Sequence, residues 1–269
     1  MFQCPLIFGI VNITPDSFSD GGKYFAPDAA IAHARRLVAD GAHVVDLGPA
    51  SSNPDATPVP PEEEIRRLAP VLEALAADGI AVSVDSFQPE TQAHALVHGA
   101  RYLNDIQGFN EAHFHPALAA SDARLIVMHS IQGRGNADRR AAPEGDIVEH
   151  ICRFFEARIA RLERAGVARD RLILDPGMGF FLGPTPETSF EVLARLGELK
   201  SRFGLPLLVS VSRKSFLRAV TGRSPQEAGA ASLAAELLAT TGGADYIRTH
   251  EPGPLADALA VRAALKGRQ

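Results

Sequence analysis

Ile80-Ala81-Val82-Ser83-Val84-Asp85, then Ser86-Phe87-Gln88, then Pro89-Glu90-Thr91-Gln92-Ala93-His94-Ala95-Leu96-Val97-His98 and a closing Gly99 form the stretch on which the fold turns. Ile80–Val84 reads as a short strand buried on both faces. Pro89 opens a helix at the turn where its missing N–H costs little, and Gly99 stops it after His98. The same order recurs along the chain. Candidate strands are Leu6–Val11, His43–Leu47, Ile80–Val84, Tyr102–Leu103, Arg124–Met128, Arg171–Leu174, Leu205–Val209 and Asp245–Ile247. Candidate helices are Pro27–Asp40, Pro61–Ala77, Pro89–His98, Ala112–Ala120, Gly145–Ala165, Pro186–Phe203, Pro225–Thr241 and Pro254–Leu265. Many end before a glycine, as at Gly41, Gly79, Gly166, Gly204 and Gly242.

Eight strand-helix units imply an α/β chain folded as one closed (β/α)8 TIM barrel over residues 1–269. An open doubly wound sheet is the alternative, and the count favours the barrel. No linker or composition shift divides the chain. The polar stretch Ser130–Pro143, rich in Arg and Gly, reads as a mobile loop rather than a boundary.

Composition narrows the function classes. Of 269 residues, 46% are hydrophobic and 22% charged, as in ordinary globular proteins. The net charge of −5 argues against a nucleic-acid partner, yet it leaves room for a local cationic pocket. Cys4 and Cys152 are far apart with no CxxC pair, which fits a reducing compartment. Met1-Phe2-Gln3-Cys4-Pro5 lacks the basic region and apolar run of a signal peptide, and no segment has the length to span a bilayer. A cytoplasmic protein with no membrane partner is expected.

Barrel active sites occupy the face where strands end. The strand ends here carry Asn12; Asp46, Gly48 and Ser51-Ser52-Asn53; Asp85; Asn104-Asp105; Met128-His129; Asp175; Ser212-Arg213-Lys214; and Arg248 with His250. Each alone reads equally as a helix cap, an Asx turn or a solvated loop residue. Their convergence on one face carries the information. Arg213, Lys214, Arg248 and His250 supply cations at the seventh and eighth strands, a common phosphate position in barrels. Asp85, Asn104 and Asp175 offer acceptors suited to a flat, nitrogen-rich ring. The residues thus indicate an enzyme handling a phosphorylated heterocycle.

Other signals are weaker. Gly177-Met178-Gly179 lacks the spacing of a dinucleotide fingerprint. His113-Phe114-His115 falls at a helix start, where surface histidines are expected. His129 and His250 are too few for a histidine metal site. An oxygen-rich mouth suits Mg2+ better. Ser51-Ser52 has no base beside it, which argues against a serine hydrolase.

Asn12-Ile13-Thr14-Pro15-Asp16-Ser17-Phe18-Ser19-Asp20-Gly21-Gly22 resembles the first signature of dihydropteroate synthase. Asp85-Ser86, Asn104-Asp105-Ile106, Asp175-Pro176-Gly177-Met178-Gly179-Phe180, Ser212-Arg213-Lys214-Ser215 and Arg248-Thr249-His250 resemble its later signatures, in order. The resemblance implies condensation of 6-hydroxymethyl-7,8-dihydropterin diphosphate with 4-aminobenzoate, with release of diphosphate. It places the pterin on Asp85, Asn104, Asp175 and Lys214. It places diphosphate and Mg2+ near Asn12, the expected metal ligand, with Arg248 and His250. It places aminobenzoate by Ser52, Pro54, Phe180, Lys214 and Ser215, with Met128 and Phe181 among the substrate contacts. Asp85, Asp175, Lys214, Arg248 and His250 are the expected catalytic residues, and a homodimer is the expected assembly.

Two segments depart from the common family pattern. Gly48-Pro49-Ala50-Ser51-Ser52-Asn53-Pro54-Asp55 carries Asn53 where an arginine is expected. Phe181 follows Phe180 where a glycine is usual. Both departures, with Phe87-Gln88-Pro89-Glu90-Thr91 and Ile106-Gln107-Gly108-Phe109, resemble the sulfonamide-insensitive synthases of mobile resistance elements. Phe181 is then expected to narrow the pocket beyond the aminobenzoate carboxylate; the bland reading is that it packs under the loop. Two rival functions are a corrinoid-linked methyltransferase that uses methyltetrahydrofolate and a noncatalytic pterin-binding paralogue.

Overall fold

A computed structural model describes residues 4–14, 27–52, 56–132 and 142–266. Eight short apolar strands alternate with helices. The strands are β1 (Leu6–Asn12), β2 (Val44–Gly48), β3 (Val82–Asp85), β4 (Tyr102–Asp105), β5 (Arg124–Met128), β6 (Leu172–Asp175), β7 (Leu208–Val209) and β8 (Tyr246–Thr249). The helices are α1 (Pro27–Ala39), α2 (Pro61–Ala77), α3 (Pro89–Val97), α4 (His115–Ala120), α5 (Ile147–Arg164), α6 (Pro186–Ala194), α7 (Leu196–Phe203), α8 (Ser215–Thr221), α9 (Gly229–Thr241) and α10 (Pro252–Lys266).

All the strands pair in parallel, in the order β6-β5-β4-β3-β2-β1-β8-β7. A parallel bridge between Leu174 and Leu207 joins the two ends, with the Leu174 amide donating to the Pro206 carbonyl at 2.9 Å. The sheet therefore closes on itself and the expected TIM barrel is found. None of the described helices is long and apolar enough to cross a membrane.

Strand parity positions the site. Alternate residues of a strand face opposite sides. One set packs outward against the helices in the main core, as Ile7, Val45, Leu47, Val84, Leu103, Leu125 and Leu174 do. The other set fills the barrel. Phe8, Val44, Ile126, Ile173, Leu208 and Tyr246 form a separate apolar plug, and Phe8 meets Tyr102 and Tyr246 edge-on at 5.0 and 5.6 Å. Two residues further along the same strands, the inward positions become Asp46, Met128, Asp175, Ser210 and Arg248. The barrel is thus dry at its base and polar at its mouth.

Several boundaries differ from the sequence expectation. Helix Pro186–Phe203 breaks at Arg195 into α6 and α7. Arg195 there binds Asp146, Glu191 and Glu198, a local charge network that no hydrophobic period reveals. The expected helix Pro225–Thr241 is a 3-10 turn, Pro225–Glu227, followed by α9. The seven-residue α8 was not anticipated; it follows Lys214 and ends on Gly222 at φ 68°. His113 is exposed as expected, but His115 is buried and its Nε2 meets the Phe109 carbonyl at 2.9 Å. The end of β4 reaches Asp105, two residues past its expected limit.

Candidate active site

At the polar mouth, the strands bring eight of the expected residues to one slot: Ser52, Asp85, Asn104, Met128, Asp175, Phe181, Lys214 and Arg248. Ile106, Met178 and Ser210 complete its lining. Ser210 could have been found from strand parity, because it lies two residues beyond the buried Leu208. Ile106 has the same signal, two residues beyond Asn104, whereas Met178 lies in the turn after β6 and has none.

Arg248 organises the slot. Its Nε donates to Asp46 Oδ2 at 2.5 Å and its Nη2 donates to Asp85 Oδ2 at 2.7 Å. The Arg248 side chain is 13% exposed, that of Asp46 0% and that of Asp85 17%. Burial opposes the charge on Arg248, and Asp46 and Asp85 outweigh it, so its pKa is raised. Asp46 stands at a strand end outside the expected site residues; its partnership with Arg248 crosses the barrel and leaves no local sequence trace.

The acceptors are buried and in part unsatisfied. Asp175 Oδ1 accepts from the Gly177 amide at 2.8 Å, and burial pushes its carboxyl up to about 6. Burial likewise raises Asp85, against the pull of Arg248. Asn104 Oδ1, Asp46 Oδ1, Ser83 Oγ and Ser210 Oγ are buried with no hydrogen-bond partner among the described residues. Buried acceptors without partners are rare and costly in folded proteins. Asp46, Ser83 and Asn104 belong to the consecutive strands β2, β3 and β4, and Asn104 and Ser210 line the slot.

The cations are not equivalent. Burial lowers the Lys214 amine to about 8, with Arg248 adding to the effect. Its Nζ sits 5.2 Å from the centre of the Phe181 ring. His250 was expected to add a positive charge. Burial, then Arg213, Arg248 and Lys214, lower it to about 3, so its ring is neutral at pH 7. Its Nδ1 lies 3.0 Å from Ser212 Oγ, and its amide donates to the same oxygen at 3.2 Å. Arg213 adopts φ 58°, and its guanidinium lies 3.6 Å from Glu251.

The remaining expected residues surround the slot. Ser215 is half-buried at the start of α8. Phe180 is half-buried, and its carbonyl accepts from Gln132 Nε2 at 3.0 Å. Asn12 is exposed at the end of β1. Asn53, Pro54 and Asp55 lie outside the described residues, as do residues 15–22 of the first signature and residues 133–141 of the expected loop.

The sequence profile described as "Pterin binding enzyme" matches residues 8–250. Dihydropteroate synthase type-2 of Escherichia coli is 69% identical over 261 residues, covering 97% of this chain and 96% of the relative. The crystal structure of Xanthomonas albilineans dihydropteroate synthase with 4-aminobenzoic acid is 39% identical, with a TM-score of 0.90 over 98% of this chain and 94% of the other. The same enzyme in complex with 7,8-dihydropteroate is 37% identical, with a TM-score of 0.87 over 99% of this chain and 95% of the other.

The chain belongs to the dihydropteroate synthases.

In this synthase the two segments singled out beside Phe181 meet it in space. Phe181 is 5% exposed and packs with Ile106 and Met128, and Phe87 and Phe180 lie against the same cluster. The turn that carries it, Gly179–Leu182, is tied to the segment after β5 by the Ile131 amide, which donates to the Phe181 carbonyl at 3.1 Å. Phe181 therefore forms a wall of the slot.

Among the described residues, no group of three or more His, Cys, Asp or Glu side chains could hold a metal. Asn12 offers one neutral oxygen at the rim. That oxygen is compatible with Mg2+ only as one ligand among waters and substrate phosphates.

Proposed function

We propose that the slot takes 6-hydroxymethyl-7,8-dihydropterin diphosphate, that 4-aminobenzoate enters beside Phe181, and that the two condense to 7,8-dihydropteroate and diphosphate. The observation that carries this reading is the set of acceptors lining one slot: Asp85, Asn104 and Asp175, with Lys214 beside them. A pterin edge presents ring N–H and amino donors that such acceptors would satisfy. The relatives crystallised with 4-aminobenzoic acid and with 7,8-dihydropteroate support both halves of the reading.

The C–O bond to diphosphate breaks with its electron pair leaving on the diphosphate oxygen. Asp85 and Asp175 hold the ring and favour the positive charge that develops on it. Arg248 stabilises the leaving charge, and His250 becomes able to hold a proton once a diphosphate oxygen lies near its ring. The aminobenzoate nitrogen then attacks the methylene carbon and loses its proton after the bond forms, so no strong base is needed. Mg2+ would be held by Asn12 and by diphosphate oxygens, and it supplies charge neutralisation of the leaving group. Phe181 narrows the aminobenzoate end, so that a sulfonamide with a larger substituent clashes there while the substrate fits. Leu238 of α9 and Val261 and Leu265 of α10 are exposed apolar side chains on outer helices, available to the expected homodimer contact.

The test is diphosphate release by the purified enzyme with both substrates and Mg2+. Release that depends on both is the expected result. Folded protein that binds pterin without releasing diphosphate would overturn it in favour of a binding paralogue.

A further inference from the structure

We propose that Asp46 is a positioning residue, which keeps Arg248 over the slot while Asp85 is passed from Arg248 to the pterin. The inference rests on the reading of this slot as the pterin site. Arg248 is shared by two carboxylates of different standing. Asp46 lies fully buried on β2 and takes Nε; Asp85 lies at the end of β3, lines the slot and takes Nη2. Asp85 lines the slot with its Oδ2 already engaged by Arg248. A ring that takes Asp85 as its acceptor therefore competes for one of the two bonds that Arg248 makes.

The geometry selects which one. Asp85 faces the slot, so ring N–H groups can replace Nη2 on its carboxylate. Asp46 lies outside the lining, and Arg248 is its one hydrogen-bonded partner among the described residues. Its other oxygen, Oδ1, is buried with no partner. Pulling Arg248 away would leave a buried carboxylate with both oxygens unpaired, which is strongly unfavourable. Arg248 is thus held at Nε and free to turn at its Nη groups. The released Nη groups then serve the departing diphosphate at the same time as Asp85 serves the ring. Asp46 touches neither substrate and acts through the arginine.

The variant Asp46→Asn keeps the shape and one acceptor oxygen but removes the charge. Arg248 then has Asp85 as its remaining carboxylate, and the ring must displace it. Calorimetry is run with 6-hydroxymethyl-7,8-dihydropterin, which carries no diphosphate, and separately with inorganic diphosphate and Mg2+. Ring affinity should fall about tenfold or more, while diphosphate affinity holds or rises. A purely structural role would weaken both in parallel; a parallel loss, or no change in either, overturns the proposal. A second measurement needs no variant: in the native enzyme labelled with 15N-arginine, the Arg248 Nε–H should stay protected from exchange when the ring binds. Loss of that protection on binding also overturns it. Native enzyme that releases no diphosphate would instead refute the pterin reading itself, which keeps the two failures distinct.

Discussion

At Asp175 a carboxyl is held at the end of β6 by one amide, that of Gly177, and burial lifts its pKa to about 6. An unfolded aspartate titrates near ~3.9. The folded chain therefore binds more protons than the unfolded chain between those values, and stability falls as pH rises through that window. Above it the unfavourable contribution is constant, at most about 3 kcal/mol. Asp175→Asn removes the charge but weakens the bond to Gly177, which offsets part of the gain. At pH 7 the variant should be more stable by about 1–2 kcal/mol, with a shallower fall between pH 4 and 6. Its turnover should drop roughly 100-fold or more as the developing charge loses its counterion. Denaturant melts across pH and a turnover assay check both; an unchanged pH slope would refute the assignment. Phe181 gives the second prediction at this scale. Deleting it opens the wall beside Lys214. Sulfamethoxazole should then inhibit about tenfold more strongly while 4-aminobenzoate turnover persists. Unchanged inhibition would mean that the ring only packs against Ile106 and Met128.

The turn between β6 and α6 shows how an element aims side chains. Gly177 sits at φ 72°, and a Cβ there would run into the His129 backbone carbonyl. Gly177→Ala should therefore cost about 3 kcal/mol or more, from the left-handed backbone plus a displaced strand end. The measurement is a melting curve, with diphosphate release alongside; a variant as stable as the native chain would show that the turn has slack. This element also shows what was legible beforehand. The strand, the aspartate at its end and the glycines after it were all readable, because burial on both faces and positive φ leave local signatures. The aim of Asp175 follows from parity, since Ile173 is in the plug and Asp175 is two residues on. The break at Arg195 has no signature in the hydrophobic period, and one of the bonds Arg195 makes there reaches Asp146, 49 residues away. Nor was α8, a seven-residue helix that follows the Ser212-Arg213-Lys214 turn and is too short for a hydrophobic period. Asp46 was visible only as a polar residue after a strand; its bond to Arg248, 202 residues away, needs the barrel closed.

Across the whole molecule the net charge of −5 conceals how charge is distributed in the site. Closure of the sheet draws Arg248 and Lys214 into one slot with Asp85 and Asp175, and Asp46 pairs with Arg248 from outside its lining. The buried charges nearly balance there, so the slot itself holds no concentrated negative field for a free divalent cation. Asn12, a neutral donor on the rim, adds no charge either. None of the described residues forms a carboxylate or histidine cluster that would take up a metal unaided. Mg2+ prefers to keep its waters unless several anionic oxygens replace them. On the proposed reading the diphosphate oxygens supply the remaining ligands, so metal and diphosphate should bind as one unit. Titrating Mg2+ alone into the enzyme should give no calorimetric signal up to roughly millimolar concentration, and a clear one once inorganic diphosphate is present. Asn12→Ala should weaken only the second of these, by about tenfold, without moving the melting temperature. Binding of Mg2+ alone at micromolar concentration would place a ligand cluster in this molecule and overturn the shared-site view.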